Sequence, residues 1–75
     1  MDTAEKVRAA VALIAHVPLT RVEDASRITE DLGIRSLQRV ELAALLETEL
    51  GSPVDDATVN RAKTVGDLVA KLATH

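Results

Sequence analysis

Ser36 is the side chain in this sequence whose position best suits chemistry. It follows Gly33 closely and opens a long apolar helical pattern, so its hydroxyl is predicted to lie at a helix N-terminus. Free N–H groups and the helix dipole make such an end favourable for a phosphate group. A serine there is also an ordinary N-cap, which is the interpretation that position alone favours. Position therefore leaves two interpretations, an N-cap and a serine that bears a phosphodiester.

Other reactive side chains are few. The chain contains no cysteine, and its two histidines, His16 and His75, lie far apart in the sequence. A zinc site needs several clustered ligands, and a serine nucleophile needs a base within hydrogen-bonding distance. Because neither histidine has suitable neighbours in the sequence, we predict that the chain holds no metal ion and is not an enzyme.

The first of four predicted helices begins at Asp2 or Thr3, because Asp2 and Glu5 have the spacing of a capping box. Its apolar residues recur at i, i+3, i+4 and i+7, which makes one stripe along a helix. These residues are Val7, Ala10, Val11 and Ile14. Pro18 is predicted to end the helix, since proline cannot continue the hydrogen-bond ladder.

The last helix shows the same pattern, with capping spacing between Thr64 and Asp67. Its apolar stripe consists of Val65, Leu68, Val69 and Leu72. A short third helix is predicted to begin near Asp55 or Asp56 and to cover Ala57–Arg61. Val59 is its one strong apolar anchor.

The second helix, from Ser36 to about Leu50 with Gly51 as its stop, carries two apolar faces. One face contains Leu42, Ala43, Leu46 and Leu50, and the nearly opposite face contains Leu37, Val40 and Ala44, bordered by Glu41 and Glu47. A surface helix of a small domain needs only one apolar face, so the second predicts a partner site. The alternative is that neighbouring elements bury both faces.

A segment of nearly twenty residues, His16 to Arg35, separates the first two helices. Apolar residues spaced along it could anchor it to the bundle: Leu19, Val22, Ile28, Leu32 and Ile34. No strand pattern appears, so the predicted fold class is all-α. The chain should form one domain, residues 1–75, built as a small four-helix bundle with three longer helices, a short third helix and a long loop between helices one and two.

Composition and charge restrict the classes of partner. Hydrophobic residues make up 47% of the chain, but the longest apolar run, Ala9–Ala15, is too short to span a membrane. The N-terminus has no signal-peptide pattern, so we expect a cytoplasmic monomer. Residues 30–56 contain seven acidic and two basic side chains, a sum of −5. This concentration of negative charge disfavours nucleic acid and favours proteins with basic patches.

The run Glu30-Asp31-Leu32-Gly33-Ile34-Arg35-Ser36-Leu37 closely resembles the phosphopantetheine-attachment segment of acyl carrier proteins, and the resemblance continues through Val40-Glu41-Leu42. It extends over nearly the whole chain. Further matching positions are Val22, Ala25 and Ser26 in the first loop, Pro53, Val54 and Asp55 before the third helix, and Thr64, Val65 and Leu68 in the last helix. An ordered set of matches is far more specific than one short motif.

The resemblance implies a free-standing acyl carrier protein. A phosphopantetheinyl transferase would move 4'-phosphopantetheine from coenzyme A onto Ser36, and the thiol of this cofactor would hold acyl groups as thioesters. Acyl-transferring or condensing enzymes would dock on the second helix, as partners do in this family. The matching residues here are Leu37, Val40, Glu41, Ala44 and Glu47.

This chain departs from the family pattern near Ser36. The preceding residue is usually aspartate and is Arg35 here, while Gln38 and Thr48 stand where fatty-acid carriers usually have acids, and Arg39 adds a positive charge. Arg35 could contact the phosphate of the arm or select the partner. A less acidic helix favours a dedicated pathway, for a polyketide, a specialised lipid or an aminoacyl or peptidyl group, over general fatty-acid synthesis. The remaining alternative is an unmodified carrier-like interaction module.

Overall fold

A computed structural model describes residues 1–73 and shows a bundle of four α-helices in that range. The elements are α1 (Thr3–Ala15), a 3₁₀ turn (Leu19–Arg21), α2 (Ser36–Leu50), α3 (Asp56–Arg61) and α4 (Val65–Ala73). Within the described residues the β-pairing consists of an isolated bridge between Arg27 and Thr64. The predicted all-α class, with three longer helices and a short third one, is confirmed.

Helix α1 begins and ends as its sequence predicts. The Glu5 N–H donates to the Asp2 carboxylate at 2.8 Å, and the Asp2 N–H donates to Glu5 Oε1 at 3.3 Å, which completes the capping box. The helix ends before Pro18, at Ala15, so the connection starts at His16 as predicted, and His16 leaves the helix with φ of 58° and ψ of 44°. The N–H groups of His16 and Val17 bond back to the last turn, as in a Schellman motif.

The left-handed backbone of His16 gives a first testable prediction. A Cβ atom in this region costs about 1–2 kcal/mol, and glycine avoids that cost while losing about 0.5–1 kcal/mol of chain entropy. We therefore expect His16→Gly to raise the free energy of unfolding by about 0.5–1 kcal/mol in urea denaturation. The control is Ala15→Gly, one residue earlier in helical conformation, which should lower it by about 1 kcal/mol. Equal losses for both variants would contradict the prediction.

The core is entirely aliphatic, as expected for a chain without aromatic residues. Each helix and the long connection contribute to it. Its fully buried larger side chains are Val7, Val11, Ile28, Ile34, Leu42, Leu46, Val59, Val65 and Leu68. Four of the five predicted anchors of the connection are buried, but Leu19 is 53% exposed and anchors little.

The long connection is fastened by its backbone to the start of α4. Its bonds to that region are Ile28 N–H to Lys63 O (2.9 Å), Val65 N–H to Ser26 O (3.0 Å) and Gly66 N–H to Asp24 O (2.9 Å). A Cβ atom on Gly66 would lie 3.0 Å from Asp24 O, so a larger residue here would press on the backbone of the connection. The predicted capping pair also forms, because Thr64 and Asp67 exchange side-chain to backbone bonds of 3.0 and 3.1 Å. The connection is thus an ordered part of the bundle.

Helix α3 has the predicted bounds. Asp55 is its N-cap residue, Arg61 its last residue, and Val59 is fully buried. In the part of the chain that the structure describes, no helix is long and apolar enough to cross a membrane. The same residues contain no cluster of three or more histidine, cysteine or acidic side chains able to hold a metal ion. His75 lies outside the described residues.

Candidate functional site

Ser36 is exposed and is the first helical residue of α2. The N-cap is Arg35, with extended backbone angles (φ −102°, ψ −179°), so the interpretation of Ser36 as an N-cap is wrong. The Arg35 N–H donates to Gln38 Oε1 at 3.1 Å. Arginine has no side-chain acceptor and cannot return the bond, so only half of a capping box forms. The Ser36 hydroxyl has no hydrogen-bond partner within residues 1–73.

A tight loop between two buried isoleucines places Ser36 on the surface. Ile28 and Ile34 are both 0% exposed, and the Ile34 N–H donates to Ile28 O at 3.1 Å. Thr29 adds a second bond across the loop, since its hydroxyl donates to Ile34 O at 2.8 Å. Gly33 turns the chain with φ of 72°, in the region that favours glycine. Because Ile34 is fixed in the core, Ser36 is held two residues later at a defined point.

The outer side of this loop carries an ion pair. The Arg27 guanidinium donates to both oxygens of Asp31 at 2.9 and 3.2 Å, and the Arg27 N–H adds a bond of 2.8 Å. The hydrogen bonds from the Arg27 side chain, followed by the bond from the Arg27 backbone, hold the pKa of the Asp31 carboxyl below its usual range. Both groups are exposed, so their attraction stabilises the fold little. The pair fixes the shape of the loop and engages Asp31.

Arg39 bonds to three acceptors in other parts of the fold, which the sequence did not indicate. Its guanidinium donates to Val59 O, to Ala62 O at 3.0 Å and to the Thr29 hydroxyl at 3.1 Å. It therefore joins α2 to the carbonyl end of α3 and to the loop before Ser36. A cation is favourable at a helix C-terminus because it satisfies free carbonyls and complements the dipole. The expectation that Arg39 adds positive charge to the partner face of α2 is wrong.

The second apolar face of α2 is exposed, as predicted. Leu37 is 76% and Val40 47% exposed, whereas Leu42, Ala43 and Leu46 on the opposite face are buried. The alternative in which neighbouring elements bury both faces is excluded. We call the exposed surface of Leu37, Val40, Glu41, Ala44 and Glu47 the outer face. The structure thus brings all predicted partner-binding residues together on one surface that begins beside Ser36.

Glu47 also has a role within the fold that the sequence did not reveal. Its Oε1 atom accepts a bond of 3.0 Å from the Val54 N–H, in the segment that leads into α3. The bond spans seven residues across the turn at Gly51, whose φ is 69°. A carboxylate that accepts a backbone N–H can still present its charge to solvent. Glu47 therefore holds the end of α2 to the entrance of α3 and contributes negative charge to the outer face.

Charges at the ends of α2 oppose its dipole. Arg35 stands at the N-cap and the first turn contains no acid, while the last turn contains Glu47 and Glu49 and no base. A charge of the unfavourable sign at a helix end costs about 0.3–1 kcal/mol. The Arg35 side chain has no hydrogen bond or ion pair among the described residues that would offset this cost.

Comparison with known proteins agrees with this geometry. Residues 5–72 match the model of the family described as "Phosphopantetheine attachment site". This chain belongs to the acyl carrier protein family. It is 40% identical to an acyl carrier protein of Helicobacter hepaticus over 75 residues, which covers 100% of this chain and 99% of the relative.

Acyl carrier proteins of two further bacteria are similar over most of their length. The protein of Saccharopolyspora erythraea is 35% identical over 77 residues, covering 93% of this chain and 81% of the relative. The protein of Thermotoga maritima is 35% identical over 65 residues, covering 87% of this chain and 80% of the relative. Acyl carrier proteins are carriers and not enzymes, and the prosthetic group of the family is covalent 4'-phosphopantetheine. The predictions of family, cofactor and absence of catalysis are confirmed.

Proposed function

We propose that Ser36 is the attachment point of 4'-phosphopantetheine and that residues 1–75 act as one carrier domain. The observation that carries the proposal is the exposed Ser36 hydroxyl, which has no partner within residues 1–73 and stands in the first turn of α2. A transferase needs such a hydroxyl to be accessible and held in place. The buried Ile34 supplies the second condition.

The residues around Ser36 suit a phosphodiester. The first N–H groups of an α-helix have no intrahelical acceptor, and together with the dipole they favour an anion. The Arg35 guanidinium can donate to phosphate oxygens from the adjacent position. When bound, phosphopantetheine supplies a terminal thiol that holds acyl groups as thioesters. The chain itself positions the phosphate on α2 and leaves the outer face open beside it.

Partner enzymes are proposed to dock on the outer face. Leu37 and Val40 offer exposed apolar contact, and Glu41 and Glu47 offer negative charge for basic residues of the partner. The partners would be a phosphopantetheinyl transferase and acyl-transferring or condensing enzymes. Arg35, Gln38 and Thr48 make the helix less acidic, which favours a dedicated polyketide, specialised-lipid or aminoacyl pathway over general fatty-acid synthesis.

The attachment is tested by intact-protein mass spectrometry. With coenzyme A and a broad-specificity transferase, we expect the wild type to gain one phosphopantetheine and Ser36→Ala to gain none. The matched control is Ser52→Ala, an exposed serine beyond the other end of α2, which should be modified like the wild type. Circular dichroism checks that both variants are folded. If the wild type stays unmodified with several transferases, including those of its own host, an unmodified interaction module would be the better interpretation.

A further inference from the structure

Helix α2 differs from the other three helices in the placement of its charges. The others follow the dipole, with acidic residues at their N-termini and, in α3 and α4, basic residues in their last turns. These are Asp2 and Glu5 in α1, Asp56 and Arg61 in α3, and Asp67 and Lys71 in α4. Helix α2 has Arg35 at its N-cap and Glu47 and Glu49 at its end. Local stability does not explain this reversal, because it is unfavourable at both ends.

The fold does not use the Arg35 side chain either. Three arginines are engaged, Arg8 with Asp24 at 3.4 Å, Arg27 with Asp31, and Arg39 with α3 and the loop. Arg21 and Arg61, like Arg35, have no side-chain partner among residues 1–73. Arg35 is exposed and has no partner among residues 1–73. Because the Arg39 guanidinium is bonded to α3 and the loop, Arg35 is the exposed cation of this helix region with no partner, and it directly precedes Ser36.

The N-cap beside Ser36 is therefore positive and the outer face is negative, so an enzyme that reaches the Ser36 hydroxyl and docks on the outer face meets both signs of charge. With a rise of about 1.5 Å per residue, Arg35 lies about 9 Å along the helix from Glu41 and about 18 Å from Glu47. The exposed apolar residues Leu37 and Val40 lie between the cation and most of the negative charge. A complementary partner would need an apolar strip with an acid at one end and basic groups further along.

We propose that the outer face recognises a protein partner with a carboxylate opposite Arg35, beside the entrance through which the arm on Ser36 would pass, and basic side chains opposite Glu41 and Glu47. The proposal rests on the proposed function, since it takes Ser36 as the attachment point. A partner with a basic residue at the entrance meets Arg35 with like charge and is disfavoured. Arg35 is thus a specificity-determining residue that acts mainly on the rate of encounter.

The test compares two phosphopantetheinyl transferases of known structure. One presents an acidic residue to the start of the carrier helix and the other a basic residue. The rate of Ser36 modification at low carrier concentration is measured for the wild type, Arg35→Gln and Arg35→Asp, at low and high salt. With the transferase that presents an acidic residue, modification should slow about 3- to 10-fold from the wild type to Arg35→Gln, and again by that factor from Arg35→Gln to Arg35→Asp. With the transferase that presents a basic residue, the same two changes should each speed modification by about the same factor. High salt should reduce both effects.

Two controls separate this effect from changes in net charge or in the fold. Arg21→Asp makes the same change in net charge outside α2 and should alter either rate less than about twofold. Arg35→Asp should melt at or above the wild-type temperature, because aspartate is a favourable N-cap. A melting temperature of Arg35→Asp below that of the wild type would show that Arg35 stabilises the N-terminus of α2, and this would overturn the proposal.

A charge swap completes the test. In this swap, lysine replaces the acidic residue of the first transferase. The altered transferase should modify the wild-type carrier more slowly and Arg35→Asp faster than the original transferase does. Failure to recover, or equal rates of all Arg35 variants with both transferases, would overturn the proposal while leaving Ser36 as the attachment point. If neither enzyme modifies any variant or the wild type, the proposed function itself fails, and with it the inference.

Discussion

Leu46→Ala is expected to lower the free energy of unfolding by about 2–5 kcal/mol, because it removes buried methyl groups and leaves a cavity. Leu46 is fully buried between helices of an aliphatic core. A domain of this size buries only about 60% of its unfolded surface and has a narrow stability margin. The loss is therefore a large part of the total free energy of unfolding. Urea denaturation followed by circular dichroism measures it, because a chain without aromatic residues has no intrinsic fluorescence to follow.

The matched control is the same substitution on the opposite side of the same helix. Leu37 is 76% exposed, so Leu37→Ala should change the free energy of unfolding by less than about 0.5 kcal/mol. Val40→Ser, at 47% exposure, should cost less than about 1 kcal/mol. Comparable losses for Leu46→Ala and Leu37→Ala would show that the outer face is packed in solution and is not available for docking.

The second large effect is expected at Arg39. Arg39→Met keeps an unbranched apolar stem but removes the donors to Val59 O, Ala62 O and the Thr29 hydroxyl. Acceptors that lose a charged donor in a partly buried place cost about 1–3 kcal/mol in total. We expect a loss of that size, together with faster amide hydrogen exchange in α3. This helix has only six residues and depends on tertiary contacts for its stability.

Arg35→Met is the matched control for Arg39→Met, since it makes the same change four residues earlier in the same chain segment. Arg35 has no partner within residues 1–73, and its charge opposes the helix dipole, so the variant should be as stable as the wild type or slightly more stable. Arg39→Lys should recover only part of the loss, because an ammonium group cannot reproduce the planar geometry of a guanidinium. If Arg39→Met and Arg35→Met unfold alike, the inward position of Arg39 contributes nothing to stability.

These two positions show where sequence reasoning succeeds and where it fails. The contrast between Leu37 and Leu46 was predictable, because a helical period places them on opposite faces whatever lies around the helix. Arg39 stands three, four and seven residues before Leu42, Ala43 and Leu46, so the same period places it on the inner side of α2. What no local pattern indicates is which acceptors its guanidinium finds there. Those acceptors come from the loop at Thr29 and from α3, which lie ten or more residues away in the sequence.

Helix boundaries show the same division on a smaller scale. The start of α1 was predictable because Asp2 and Glu5 cap each other within one turn. Its end before Pro18 was predictable as well, but the left-handed conformation of His16 was not, because this conformation of a non-glycine residue has no clear sequence signal. For α2, the extended backbone of Arg35 moved the N-cap one residue before Ser36. Shifts of this size are ordinary at helix ends.

The sequence alone determined the four helices, the two faces of α2, the aliphatic core and the place of Ser36 at a helix start, because periodicity and capping act between residues close in the chain. Only the tertiary structure showed that the connection is bound to α4 beside Gly66, that Arg39 bonds to α3 and the loop while Arg35 is exposed, and that Glu47 holds the segment before α3. The physical reason is that a long polar side chain goes where its acceptors lie. Those acceptors are brought close by the packing of helices, and no local pattern records that packing.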